Sequence, residues 1–203
     1  MKLAYHCAHS PTAQALLKDL VKAYGQVPLD EAEVLIAIGG DGAMLHSLHM
    51  ALDNDIPVCG INRGSVGFLM NHPNGELEHL DKTLSHAHRL NIHPLVLEVA
   101  STTKALYAFN EVALLREEHQ AIKLKISVDG KVRLPELIGD GCLIATPVGS
   151  TAYNYSAGGP ILPITSNLLS LTPLSPFRPR RWSGALLPQE CVIDIEVMDP
   201  ENR

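Results

Sequence analysis

The chain has 203 residues, 46% of them hydrophobic, and its 16 Lys plus Arg stand against 22 Asp plus Glu for a formal charge of -6. That length holds one large domain or two small ones with a substantial core, and the acidic balance excludes the basic footprint of a binder of nucleic acid or anionic membrane. Its apolar runs are too short for a membrane span, and the polar residues Lys2 and His6 come too early for a signal-peptide core. The four cysteines (Cys7, Cys59, Cys142, Cys191) form no CxxC pair, so the reading is a cytoplasmic protein with reduced packing cysteines.

Leu3 to Cys7 predicts a first strand, and Ser10-Pro11 then supplies an N-cap and an N1 proline for a helix to Tyr24, closed by Gly25. Val34 to Ile38 predicts a second strand that runs directly into Gly39-Gly40-Asp41-Gly42. A helix is expected over Ala43 to Leu52, opened by Asp41-Gly42. Ile56 to Ile61 is a third apolar strand, ending in the glycine loop Gly60 to Gly67. Unbroken apolar strands alternating with helices imply a parallel, Rossmann-like α/β domain covered on both faces.

Glu76 to Arg89 predicts a further helix, beyond which helical periodicity gives way to alternation, so a domain boundary is placed near Leu90 to His93. The two expected domains are 1–91 and 92–203. In the second, Leu95, Leu97 and Val99 alternate, and Leu106, Phe109, Val112 and Leu114 read as one apolar strand containing Asn110 and Glu111. Ile122 to Val128 alternates with Lys123 and Lys125 before the hairpin turn Asp129-Gly130. Cys191 to Val197 alternates again, and Pro173-Leu174-Ser175-Pro176 reads as a rigid turn in a Pro- and Arg-rich stretch whose Arg178, Arg180 and Arg181 would suit phosphates or a neighbouring subunit equally. The expectation is an antiparallel, β-sandwich-like second domain.

Four segments carry polar groups suited to chemistry. In Gly39 to Gly42 the glycines permit close backbone approach to phosphate, and Asp41 either caps the following helix or accepts a substrate hydroxyl's proton and orients that oxygen toward a γ-phosphate. The loop Gly60 to Gly67 suggests a shared cleft. Asn110 and Glu111 need partners if buried, from an internal network or from a ligand rich in hydroxyls. Around Gly149, Thr146, Ser150 and Thr151 offer hydroxyls and Tyr153 a flat face, and the stretch continues to Gly158-Gly159-Pro160. No GxxxxGK[ST] or complete GxGxxG occurs, which excludes a P-loop ATPase and a typical Rossmann dehydrogenase. His46 and His49, and the His6, Cys7, His9 group, read as surface or packing residues rather than metal ligands.

In this order, the four segments resemble the ATP-dependent NAD kinases over nearly the whole chain, and Leu171 to Pro188 is similar to their α-proteobacterial branch. The resemblance implies transfer of the ATP γ-phosphate to the 2′-hydroxyl of the adenosine ribose of NAD, with a divalent cation such as Mg²⁺, in a homodimer or homotetramer. It assigns Asp41 as the catalytic carboxylate, Asn110 and Glu111 as a ligand-binding pair, and Thr151, Ala152 and Tyr153 as a dinucleotide-contacting run, with Gly42, Phe68 and Asp140 around the ligand. It identifies no metal ligands. Several members carry a basic residue just before the Asp-Gly of the fourth segment, where this chain has Ile138-Gly139. The family runs several tens of residues past position 203, which implies a shortened C-terminus. Two other readings stay open: a GGDG-type lipid or sugar kinase, and a catalytically silent NAD-binding module.

Overall fold

The computed structural model describes residues 1–64, 67–72 and 80–200, and the chain divides into two compact units, 1–91 and 92–203. In the first unit β1 (Leu3–Cys7), β2 (Val34–Gly39) and β3 (Val58–Asn62) form a parallel sheet in that order, with Leu3 opposite Val34 and Leu35 opposite Val58. Central β2 is buried on both faces. Ile36 and Ile38 pack with Leu16 and Leu20 of α1 (Pro11–Tyr24), whereas Leu35 and Ala37 face the side covered by Ala51 and Met44 of α2 (Asp41–Leu52). This two-sided burial is why the strand is apolar without alternation. The Ser10 hydroxyl caps α1 by accepting from the Ala13 N–H, and Gly25 ends it at φ 74°.

The helix expected over Glu76 to Arg89 ends earlier than Arg89. Its first four residues lie outside the described residues, and α3 spans Leu80–Ser85. Leu80 is buried and Leu84 half-buried, but His86 to Leu90 are all exposed, so further turns would have no apolar face to bury. The Ser85 hydroxyl also donates to the Lys82 carbonyl at 2.8 Å, competing for the backbone as the helix ends.

The second unit is antiparallel. β11 (Ala185–Pro188), β10 (Leu168–Leu174), β9 (Gly141–Ala145) and β6 (Glu111–Leu115) form one sheet in that order, and β12 (Ile193–Met198), β7 (Ile122–Val128) and β8 (Lys131–Gly139) form another. Ile122, Leu124, Ile126 and Leu137 of the smaller sheet share a core with Cys142, Ile144, Leu169 and Leu171 of the larger, which makes a β-sandwich. The outer face of β7 carries Lys123 and Lys125, paired with Asp199 and Glu196. The hairpin turn has φ 51° at Asp129 and 71° at Gly130, and β8 accommodates Pro135 at a register shift where it holds one residue more than β7.

Three expectations change here. The stretch from Leu106 to Leu114 is two strands in different sheets: β5 (Leu106–Ala108) pairs with β4 (Leu95–Leu97), and Asn110 lies in the break before β6. Val99 lies beyond β4. Pro173 and Leu174 belong to β10 rather than to a turn. The Pro173 ring lies toward Gly184, past the last β10–β11 pair, where no N–H is required; the chain turns at Ser175, φ 46°. All four cysteines are free thiols, and burial pushes that of Cys142 up to about 12. No helix among the described residues is long and apolar enough to cross a membrane.

Candidate active site

In the first unit the site begins where β2 ends. Gly40 stands at the N-cap of α2 and Asp41 is its first residue, yet the Asp41 carboxylate does not cap that helix. Its Oδ2 accepts from the Phe68 N–H at 3.0 Å and its Oδ1 from the Leu69 N–H at 2.9 Å. A carboxylate has about four acceptor positions, so both oxygens are anchored and each keeps capacity for a hydroxyl. Asp41, Gly42 and Phe68 are thus brought together, and the two glycine loops are joined through one side chain. A Cβ on Gly42 would meet nothing within 4 Å among the described residues, so no packing there demands glycine. Phe68 is 72% exposed, a large apolar ring with no cover of its own.

Asn62, at the end of β3, orders the second loop from below: buried to 7% exposure, it accepts from the Gly64 N–H at 2.8 Å and sets its amide against the His72 ring. Beside this loop cluster the His6 ring stacks on His46, centroids 4.6 Å apart. Burial, then His46 and His9, holds His6 below the usual imidazole range. Among the described residues no group of three or more His, Cys, Asp and Glu could hold a metal ion.

The second unit unites Asn110, Glu111 and the 146–153 turn. Glu111 is opposite Ala145 at the end of the β6–β9 ladder, and the Asn110 carbonyl accepts the Thr146 N–H at 2.9 Å. A Cβ on Gly149 would lie 2.2 Å from that same carbonyl oxygen, so only glycine permits the turn to close on Asn110. Oε2 of Glu111 is buried with no hydrogen-bond partner among the described residues, and burial raises this carboxyl above the usual range. Thr151 and Ala152 are half-buried and Tyr153 is 40% exposed.

Two of the hydroxyls expected around Gly149 are not available to a ligand. Thr146 Oγ1 donates to the Phe109 carbonyl and accepts from the Gly149 N–H; Ser150 Oγ donates to the Pro147 carbonyl at 2.7 Å and accepts from Leu162 N–H at 3.0 Å. Both residues are at most 1% exposed, and they hold the turn's shape from inside. Asp140 does not join this group. It precedes Gly141 at the opposite end of β9, and Gly141 is itself four residues, so about 14 Å, along the ladder from Ala145. There the Arg116 guanidinium donates to it at 2.7 Å and, followed by the Ser175 hydroxyl, holds its carboxyl below the usual range.

The model of the ATP-NAD kinase N-terminal domain matches residues 2–91, and that of the ATP-NAD kinase C-terminal domain matches 109–202. The chain belongs to the ATP-NAD kinase family. It is 49% identical over 207 residues to the NAD kinase of Caulobacter vibrioides, spanning all of this chain and 78% of that protein. With the NAD kinase of Zymomonas mobilis it shares 51% over 199 residues, 96% of this chain and 76% of the relative. An NAD kinase from Archaeoglobus fulgidus solved in complex with ATP superposes with a TM-score of 0.77 at 26% identity, covering 97% of this chain and 81% of that one. Yeast NADH kinase complexed with NADH superposes at 0.83 over 98% and 73% of the two chains; at 22% identity this likeness concerns the fold.

For an NAD kinase chain, the residues that sequence reasoning passed over are the supports. Arg116 supplies the cation beside Asp140 that no neighbour of the Asp-Gly pair provides. Asn154, Ser170 and Thr172, all at most 1% exposed, bond one another beneath the 146–153 turn. The available signal was an amide between Tyr153 and Tyr155 and two hydroxyls inside an apolar strand, each costly to bury alone.

Proposed function

We propose that this chain phosphorylates NAD, moving the γ-phosphoryl group of ATP to the 2′-hydroxyl of the adenosine ribose. The observation that carries this reading is the Asp41 carboxylate, anchored by two backbone N–H groups in a chain matched by both ATP-NAD kinase domains. The ribose oxygen attacks the γ-phosphorus and a new O–P bond forms. The bond from that phosphorus to the β,γ-bridging oxygen breaks, ADP leaves, and Asp41 takes the hydroxyl proton. Backbone N–H groups of the glycine loops, with those that the first turn of α2 leaves without intrahelical acceptors, orient phosphate oxygens.

Asn110 and Glu111 accept from and donate to the dinucleotide's hydroxyls, and Thr151, Ala152 and Tyr153 line its path; Gly42 and Phe68 are read as ligand contacts of the Asp41 loop in the first unit, and Asp140, held by Arg116, as a contact apart from the Asn110 group. In this reading unit 1–91 carries the Asp41 loop and unit 92–203 binds NAD. A divalent cation, Mg²⁺ in our reading, would neutralise charge on the transferring phosphates. The protein is read as cytoplasmic and as a homodimer or homotetramer.

Purified protein with ATP and Mg²⁺ is expected to convert NAD to NADP, and phosphorylation of diacylglycerol instead would overturn the assignment. Asp41→Asn keeps the side chain's shape but leaves a single oxygen to accept from the Phe68 and Leu69 N–H groups; it is expected to retain NAD binding, which the second unit carries in this reading, while kcat falls roughly 10²-fold or more. Turnover close to that of the parent protein would remove Asp41 from the role of base.

A further inference from the structure

Thr151, Ala152 and Tyr153 sit at the junction of a three-residue 3-10 turn, Gly149–Thr151, and the four-residue helix α4 (Tyr153–Ser156). Pieces this short do not hold their geometry through their own backbone hydrogen bonds, so their direction must come from tertiary contacts. The principal contact is the Asn154 carboxamide, which is fully buried. Its Nδ2 donates to the Ser150 carbonyl at 3.2 Å and the Pro160 carbonyl at 2.9 Å; its Oδ1 accepts from Thr172 Oγ1 at 2.7 Å. Thr172 belongs to β10, in the middle of the larger sheet, and its hydroxyl also meets Ser170 Oγ at 3.0 Å. One side chain therefore ties the entry of the turn and its exit to a central strand.

The chain also makes room for this strut. A Cβ on Gly159 would stand 2.1 Å from Asn154 Oδ1 and 2.5 Å from Thr172 Oγ1. Gly158-Gly159-Pro160 thus owes Gly159 to close packing against the network, not to a phosphate. Apolar side chains would fill the same buried space without any demand for hydrogen-bond partners. What the polar network adds is a single orientation for the turn, since only one arrangement satisfies every donor and acceptor.

We propose that Asn154 and Thr172 are positioning residues for dinucleotide binding: without touching the ligand, they set the Thr151–Tyr153 run from beneath. This rests on the reading that the run contacts NAD, and the two ideas separate experimentally. Thr172→Val removes the hydroxyl but keeps the branched shape, so Asn154 Oδ1 loses its donor and the turn loses its tie to β10. KM for NAD is expected to rise about tenfold, with KM for ATP within about twofold of the parent value. Thr172→Ser, which restores the hydroxyl, is expected to recover KM for NAD.

A purely structural role would lower the melting temperature and the active fraction without shifting KM for NAD selectively, or would leave Thr172→Ser as impaired as Thr172→Val. Either result overturns the proposal. If Thr172→Val does not accumulate folded, Thr172→Cys, whose thiol donates weakly, is read by the same two KM values. Tyr153→Ala tests the underlying reading. If it leaves KM for NAD unchanged, the run does not bind the dinucleotide; if it raises KM for NAD while the Thr172 variants do not, only the positioning idea fails.

Discussion

One oxygen of Glu111, Oε2, is buried without a partner among the described residues, and burial raises the carboxyl above its usual range. Between that usual range and the raised folded value the folded chain binds more protons than the unfolded chain, so stability falls as pH rises through this window. Ionising Glu111 in this buried position therefore carries a cost, which a hydroxyl that donates to it would relieve. Glu111→Gln keeps the shape and removes the charge. Its melting temperature at pH 7.5 is expected to equal or exceed that of the parent, the difference shrinking as pH falls through the usual carboxylate range, while KM for NAD rises on the order of tenfold. A lower melting temperature at pH 7.5 than at pH 4, relative to the parent, would show that the carboxylate is satisfied in the free protein.

At the scale of elements, α1 illustrates what local chemistry accomplishes alone. Ser10, Pro11 and Gly25 specify both ends of the helix, and Ala13, Leu16 and Leu20 specify its buried face. Ser10→Ala removes the acceptor for the Ala13 N–H and is expected to destabilise the first unit by about 1 kcal/mol, lowering its melting transition by about 4–8 °C. An unchanged transition would mean that the cap contributes nothing here. The opposite case is α3, where a helical pattern from Glu76 to Arg89 yields an α3 that ends at Ser85, because the residues beyond it find no apolar surface. Likewise Leu106 to Leu114 reads as one strand and forms two, because their hydrogen-bond partners belong to different sheets.

For the whole molecule, the two units have separate cores, one around a parallel sheet and one between two antiparallel sheets. In the proposed division of labour NAD alone engages the second unit through 109–115 and the 146–162 turn. Hydrogen exchange measured with NAD and without ATP is expected to slow in those two stretches, whereas protection confined to residues 1–64 would reverse the assignment. The acidic charge of -6 adds a constraint: anionic phosphates must be met by backbone N–H groups, a cation or a few placed arginines rather than by a basic surface.

The amino-acid sequence by itself determined the parallel and antiparallel classes of the two halves, the bounds of β1 and α1, the Asp129-Gly130 hairpin, and the kinase motifs, because each depends on short-range periodicity, capping or turn chemistry. Only the tertiary structure decided what each polar side chain touches. Asp41 finds its donors 27 and 28 residues away, His6 stacks on His46, Arg116 pairs with Asp140, and Asn154 is held by Thr172. It also turned the hydroxyls of Thr146 and Ser150 inward while leaving Tyr153 facing solvent. The physical reason is common to all of these. A buried donor or acceptor must be satisfied, and in a folded chain its partner is chosen by proximity in space, which residue spacing does not encode.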